Sequence, residues 1–267
     1  MTIPADSQVR RLGDLTRGEV LALAPSTTLL LPVGAVEQHG PHLPLDTDST
    51  IVSTLASRSV AELPPDVQVI IGPTVMFGSS HHHLFACAAS LSATTLQAVL
   101  NDIADSLVLS GFSSLFLLNG HGGNTECVQL LTKQVVLRHQ IAAGAGSYWD
   151  IGATAARAEV EARSLPFPSY FPGHAGEFET SLMLAIAPET VRRDLQPKSD
   201  PSPPAFHSSP LGPGLTQQRS GEWERIDGFS DRSDGSTSEV GQLLLDAIVT
   251  AVAAALTDFH RAVFAAR

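Results

Sequence analysis

The sequence is poor in several features that mark whole classes of protein. It has 2 cysteines in 267 residues, Cys87 and Cys127. That is too few, at the wrong spacing, for a disulfide framework or a thiolate zinc site. Both suit a reducing cytoplasm and are expected as packed small hydrophobes. Positive charge is also scarce, with 16 Lys and Arg against 27 Asp and Glu and a formal net charge of -11. The sequence-independent attraction to phosphate backbones is therefore missing, and no nucleic-acid partner is expected. No apolar run is long enough for a bilayer. The most apolar helix-like stretch, Ala247 to Leu256, is closed off by Asp246 and Asp258 and falls well short of the roughly 20 residues needed, so a core helix and no membrane association are expected. The beginning, Met-Thr-Ile-Pro-Ala-Asp, has no charged region followed by an apolar stretch and a cleavage site, so the expectation is a cytoplasmic protein. No internal repeat is visible.

What is present is an alternation of short apolar runs with amphipathic stretches. Thr27 to Val33, Val67 to Ile71, Ser114 to Leu118 and Ala142 to Tyr148 have the continuous apolar character of strands buried on both faces. Between them, Asp48 to Leu63, Ser92 to Ser110 and Thr125 to Arg138 carry helical patterns, and a last helix is predicted over Ser238 to Ala265. The alternation predicts an α/β layered sheet, mostly parallel, and a single domain over 1–267. In such sheets ligands bind beyond the carboxyl ends of the strands. Gln196 to Gly241 differs, being rich in Pro, Ser, Gly and charge, with Pro201, Pro203, Pro204, Pro210 and Pro213 close together. It reads as a long ordered or gating loop, or as a flexible surface excursion.

Three polar clusters carry the chemistry. The first, Gly34 to Asp48, follows a predicted strand directly and holds Glu37, His39 and Asp48. Residues two apart in an extended segment point the same way, so Glu37 and His39 can grip neighbouring cations. A Gly- and Pro-containing turn can return Asp48 to them. One imidazole with two carboxylates is a ligand set for Zn, Mn or Fe; a surface loop is the plainer alternative. The second cluster, Asn119-Gly120-His121-Gly122-Gly123-Asn124, follows another strand, and its glycines allow close backbone approach with His121 displayed at the turn. An oxyanion loop or anion nest would have the same composition, but the chain has no Gly-x-Ser-x-Gly to supply a nucleophilic serine. The third, Gly173-His174-Ala175-Gly176-Glu177-Phe178-Glu179, places Glu177 or Glu179 at a helix start, where a carboxylate also serves as a cap. His174, near a cation-binding acid, suits proton transfer to a leaving nitrogen. In His81-His82-His83 the three rings cannot all face one site, and His82 is the expected pocket residue.

These motifs resemble the creatininase family: Glu37, His39, Gly40, His42, Pro44 and Asp48; then Asn119, Gly120 and His121; then Gly173 through Ser181, with a further likeness at Gly228 to Gly241. The resemblance spans nearly the whole chain. It implies a three-layer α/β/α sandwich, homo-oligomeric and often hexameric assembly, and a centre of two divalent metal ions per subunit, Zn, Mn or Fe. By position, Glu37 and His121 would hold one ion, His39 the other, and Asp48 would bridge. Gly123 stands where creatininase has a glutamate, and the resemblance to members with His-Gly-Gly-Asn implies Glu179 as the remaining ligand.

Other departures bear on substrate. Phe85-Ala86-Cys87-Ala88 replaces a Phe-Pro-Gly-Thr, and Tyr170-Phe171 stands where a Trp-Asp is expected, whereas Trp149-Asp150 is retained. Substrate contacts are expected from His82, Trp149, Tyr170 and the backbone at Gly122 and Gly123. Because the family includes formamide hydrolases, a precursor-peptide peptidase and a ring-ketone hydrolase, the resemblance fixes machinery better than substrate. The expected activity is amide hydrolysis on a cyclic amide, formamide or related small amide, by a hydroxide bridging the two ions. His174 and Glu177 would be the proton-transfer residues. A peptidase on a short precursor peptide is the alternative within the family, and a non-catalytic metal-binding scaffold the alternative outside it.

Overall fold

The computed structural model describes residues 9–202 and 219–265. Five strands, β1 (Arg10–Arg11), β2 (Thr28–Val33), β3 (Val69–Ile71), β4 (Ser114–Asn119) and β5 (Ala142–Ser147), form one sheet of order β1-β3-β2-β4-β5. All its pairings are parallel. Side chains alternate between faces along each strand, and both faces are apolar. Leu29, Leu31, Val33, Leu115 and Leu117 face one layer, where α3 (Ala93–Leu109) and α4 (Thr125–His139) pack; α1 (Arg17–Leu23) borders that side through Val20 and Leu23. Leu30, Phe116 and Leu118 face the other, against α2 (Thr47–Ala61), α5 (Tyr148–Ala162), α6 (Glu177–Ile186) and α8 (Ser238–Phe264). The result is the expected parallel α/β sheet with helices on both sides, because parallel strands need covered crossovers.

The four predicted strands match to within two residues. β1, α1 and α5 were not anticipated. For α1 a signal existed: Thr16 and Glu19 form a capping box, each side chain bonding the other's backbone. The fifth strand was read through Tyr148, but Tyr148 is the first residue of α5, fully buried against the sheet layer. The last helix is longer than its apolar segment. At 27 residues α8 has the length and composition to cross a membrane, yet more than half of its most apolar stretch is buried inside the protein, against α5, α6 and α2. It is a core helix whose exposed side carries Glu239, Asp246 and Asp258.

The chain runs from β2 outward to β3, then back across β2 to β4. The carboxyl ends of β2 and β4 therefore flank the switch point at which open parallel sheets bind ligands. Gly34, His121 and Trp149 all follow strand ends there.

One close approach holds α5 on α8. A Cβ on Gly152 would lie 2.6 Å from Ile248 Cγ1 and 3.2 Å from its Cα. Gly152→Ala and Ile248→Ala should each destabilise the protein, Ile248→Ala by about 2–5 kcal/mol. In urea unfolding the double variant should lose at least about 0.5 kcal/mol less than the sum; strict additivity would contradict this packing.

Candidate metal centre

Local structure brings the three clusters together. Beyond β2, Glu37 N donates to Leu45 O at 2.8 Å and Gln38 N to Cys87 O at 2.7 Å. This holds the segment extended and keeps Glu37 and His39 on one side. Asp48 lies in the first turn of α2 and Glu179 in the first turn of α6, where the helix dipole favours a carboxylate. Beyond β4, Asn119 braces the turn: its Nδ2 donates to His121 O at 2.9 Å and Ser147 Oγ at 3.1 Å, and its Oδ1 accepts from His121 N at 3.2 Å. His42 Nε2 meets Thr180 Oγ1 at 2.7 Å, tying the first cluster to α6.

Five expected ligands converge, all buried. Asp48 lies between two imidazoles, with Oδ1 3.2 Å from His39 Nε2 and Oδ2 3.1 Å from His121 Nδ1. Glu179 Oε2 is 3.8 Å from His39 Nε2, and Glu37 Oε1 is 3.4 Å from His121 Nδ1. Backbone carbonyls set both tautomers. His39 Nδ1 donates to Glu37 O at 3.0 Å and His121 Nε2 to Ser79 O at 3.2 Å. The other nitrogen of each ring thus turns its lone pair toward carboxylate oxygens, the orientation that outer carbonyls impose on metal-ligating histidines.

Lone pairs facing carboxylates need positive charge between them. In the cation-free protein protons supply it: burial opposes the imidazolium form, but the nearby carboxylates outweigh it and hold His39 up to about 10 and His121 up to about 9. Burial pushes Glu37 and Glu179 above the usual carboxylate range, whereas His39 and His121 overcome burial at Asp48 and hold it below. Both Glu37 oxygens and Asp48 Oδ2 are buried without a hydrogen-bond partner, which ordinarily costs stability. The sets Glu37, Asp48, His121 and His39, Asp48, Glu179 each gather donor atoms within 4.8 Å of one another and share Asp48. Nitrogen and carboxylate donors with orphaned oxygens fit a pair of Zn, Mn or Fe ions.

The centre floors a cavity of about 1000 Å³ bordered by His82, Trp149, Tyr170, Gly122 and Gly123, all expected there, and by His174. Gly123 could be nothing else, because a Cβ would sit 2.1 Å from Ser79 O; no glutamate fits at that position. Glu177 is a correction. Two positions from Glu179 on a helix, it faces away, with Oε1 beside Gly235 and its surroundings set by Arg232 and Ser169, so it is not placed to relay protons here.

His83 was underrated: all three histidines border the cavity, and His83 is the buried one, with Nε2 3.4 Å from Glu37 Oε1. Cys127 is buried as expected, but Cys87 is exposed. Sequence reasoning missed Gln38, whose Oε1 accepts from Gly40 N at 2.9 Å and whose Nε2 reaches His83 Nδ1 at 2.8 Å and Gly228 O at 2.9 Å. It also missed Trp223, on the short helix α7 (Glu222–Arg225), whose ring lies edge-on to His83 at 4.8 Å and to His174 at 5.1 Å. Residues 219–237 of the Pro/Ser/Gly-rich segment thus help build the site, with Ser230, Asp231 and Ser233 buried. Pro203, Pro204, Pro210 and Pro213 lie outside the described residues.

The family model for creatininase, described as creatinine amidohydrolase, matches residues 13–256. The chain belongs to the creatininase family. As a member it is a hydrolase. It is 32% identical over 189 residues to a mycofactocin precursor peptide peptidase of Mycolicibacterium smegmatis, a match covering 68% of this chain and 66% of that protein, just under two thirds of its length. It is 29% identical to a creatinine amidohydrolase of Pseudomonas putida, over 92% of this chain and 96% of that one. A crystal structure of creatinine amidohydrolase superposes with a TM-score of 0.76 at 28% identity, covering 95% of this chain and 99% of that chain. Similar creatininase structures include a manganese form and a Zn-Zn type, each with a TM-score of 0.75, at 26% and 27% identity.

The raised histidine pKa values make metal binding and pH act on the same atoms. A pKa lifted above 6.5 gives stability that is complete below about pH 6.5 and lost as pH rises through the folded values, here about 9 and about 10. Cations replace those protons, so the rise in melting temperature caused by Zn or Mn over chelated protein should grow from pH 6.5 to pH 9. A metal-induced shift that shrinks over that range would contradict the assignment of His39 and His121.

Proposed function

We propose that the chain is a binuclear metal-dependent amidohydrolase that opens the carbon–nitrogen bond of a cyclic amide, a formamide or a related small amide. One observation carries the reading: the two oxygens of Asp48 face separate imidazoles, His39 with Glu179 and His121 with Glu37, each ring held with its lone pair inward. Cations held there supply Lewis-acid polarisation of a carbonyl oxygen and lower the pKa of a water toward about 7.

Around that centre the chain's own groups manage protons. His174 Nε2 donates to Gln38 O at 3.0 Å, which leaves Nδ1 unprotonated, 3.7 Å from Glu37 Oε1. Burial, together with the neighbouring imidazoles, holds His174 well below its ordinary value, so its resting form is the neutral base. It can therefore take a proton at Nδ1 from the attacking water before giving one to the departing nitrogen. The donor role expected from sequence becomes the second half of this cycle. Gln38, whose oxygen is committed to Gly40 N, donates to His83 Nδ1 and so turns His83 Nε2–H toward Glu37. Gln38 thereby orients His83 while its backbone carbonyl orients His174.

A peptidase reading is favoured by one feature, the cavity of about 1000 Å³, which is large for a small amide and would take the end of a short peptide. The exposed apolar side chains Met76, Phe77 and Leu84 near the histidine run support assembly as a homo-oligomer. A scaffold without turnover would not need a neutral His174 oriented over the centre.

Mass spectrometry of lactams, formamides and short peptides incubated with Zn-, Mn- or Fe-loaded protein tests the proposal. An amide should be hydrolysed, chelation should stop it and added metal restore it. His174→Asn should lower kcat about 10²- to 10⁴-fold with metal content unchanged. Turnover of nothing in the panel, or full rate in His174→Asn, would sink it.

A further inference from the structure

We propose that the cavity above the metal centre selects substrates whose outer end is cationic, or neutral and planar, and rejects those whose outer end is a carboxylate, sulfonate or phosphate group. The proposal rests on the amidohydrolase reading only in taking the floor of the cavity as the reacting end. That floor is a ligand site on its own evidence, because Asp48 Oδ2 and His83 Nε2 are buried there, make no hydrogen bond, and face only other members of the cluster, His121 Nδ1 at 3.1 Å and Glu37 Oε1 at 3.4 Å.

The walls above the floor are aromatic, formed by Trp149, Tyr170, Phe171 and Trp223. Flat π faces stack on planar groups and attract cations. Besides the metal-centre acids, the charged residues bordering the cavity are Glu126 and Asp150. Both are exposed, and among the described residues neither side chain makes an ion pair. No Lys or Arg borders the cavity among the described residues, and the sequence over 203–218 contains neither. An anionic group entering here would leave water for a wall without a cationic partner, facing two carboxylates and a protein of net charge -11. A cationic group would find stacking faces and unpaired carboxylates together. Glu126 and Asp150 thus act on specificity, away from the reacting atoms.

The chain's two tryptophans, Trp149 and Trp223, both border the cavity, so tryptophan fluorescence reads its occupancy without any turnover. The metal-loaded full-length protein is titrated with benzyltrimethylammonium, benzamide and benzenesulfonate, probes of similar ring and different charge. The ammonium probe should bind at least about tenfold tighter than the sulfonate at low salt, with benzamide between, and the ratio should shrink as salt is added. In the Glu126→Gln, Asp150→Asn double variant the preference should collapse to within about twofold. Equal or tighter sulfonate binding overturns the proposal, as does no response to the ammonium probe at millimolar concentration. So does a preference that survives in the double variant, which would trace it to overall charge. Hydrolysis of amides without charge selectivity sinks this inference alone, whereas charge-selective binding without hydrolysis sinks only the amidohydrolase reading.

Discussion

Three buried carboxylates held near two imidazoles are the constraint on which the rest of the site depends. Glu37, Asp48 and Glu179 would repel one another in a low-dielectric interior unless positive charge lay among them. The protein provides places for that charge at two points, on either side of Asp48, by turning one nitrogen of His39 and one of His121 inward and tying the other to a main-chain carbonyl. Protons fill the places when cations are absent, and cations can displace them. Metal affinity, pH dependence and stability are therefore one coupled property of five side chains.

The fold serves this constraint by presenting rigid ends. The first turns of α2 and α6 supply two carboxylates, and the ends of β2 and β4 supply the remaining acid and both imidazoles. The chain following α7 then locks the third cluster from outside. Ser230 Oγ accepts from His174 N at 2.8 Å, and Asp231 Oδ2 accepts from Glu177 N at 3.0 Å, capping α6 in place of a local side chain. Gly176 leaves the room for this, since a Cβ there would lie 1.8 Å from Asp231 Oδ1. A segment whose composition reads as a loop is thus the clamp on His174 and on the helix that carries Glu179.

Much of this was legible in the sequence because buried parallel strands are unavoidably apolar. Thr28–Val33 and Ser114–Asn119 announce themselves, and the polar residues after them must lie at strand ends. What escaped has physical reasons. The small residues of Ala142–Ser147 run into Tyr148 without a stop signal, which hid the start of α5. The expectation of Glu179 as a ligand came from family resemblance; spacing alone left Glu177 equally eligible, although two positions on a helix lie about 200° apart and both could not face one centre. His83 was passed over for His82 because adjacency says nothing about direction: in the 3-10 turn over His81–His83 the rings of His82 and His83 lie together, with centroids 4.2 Å apart, and both border the cavity. Trp223 lies in a stretch whose prolines and serines masked a helical turn, and nothing local marks it as a wall of a cavity made by residues as distant in sequence as Asp48 and His83.

In the centre we propose, two cations share Asp48. Anomalous diffraction from crystals of the zinc- or manganese-loaded protein reads this directly. Two peaks per chain should flank the Asp48 carboxylate, one contacted by Glu37 and His121 and the other by His39 and Glu179. A single peak, or a peak ligated by His83 or His174 in place of these residues, would contradict it.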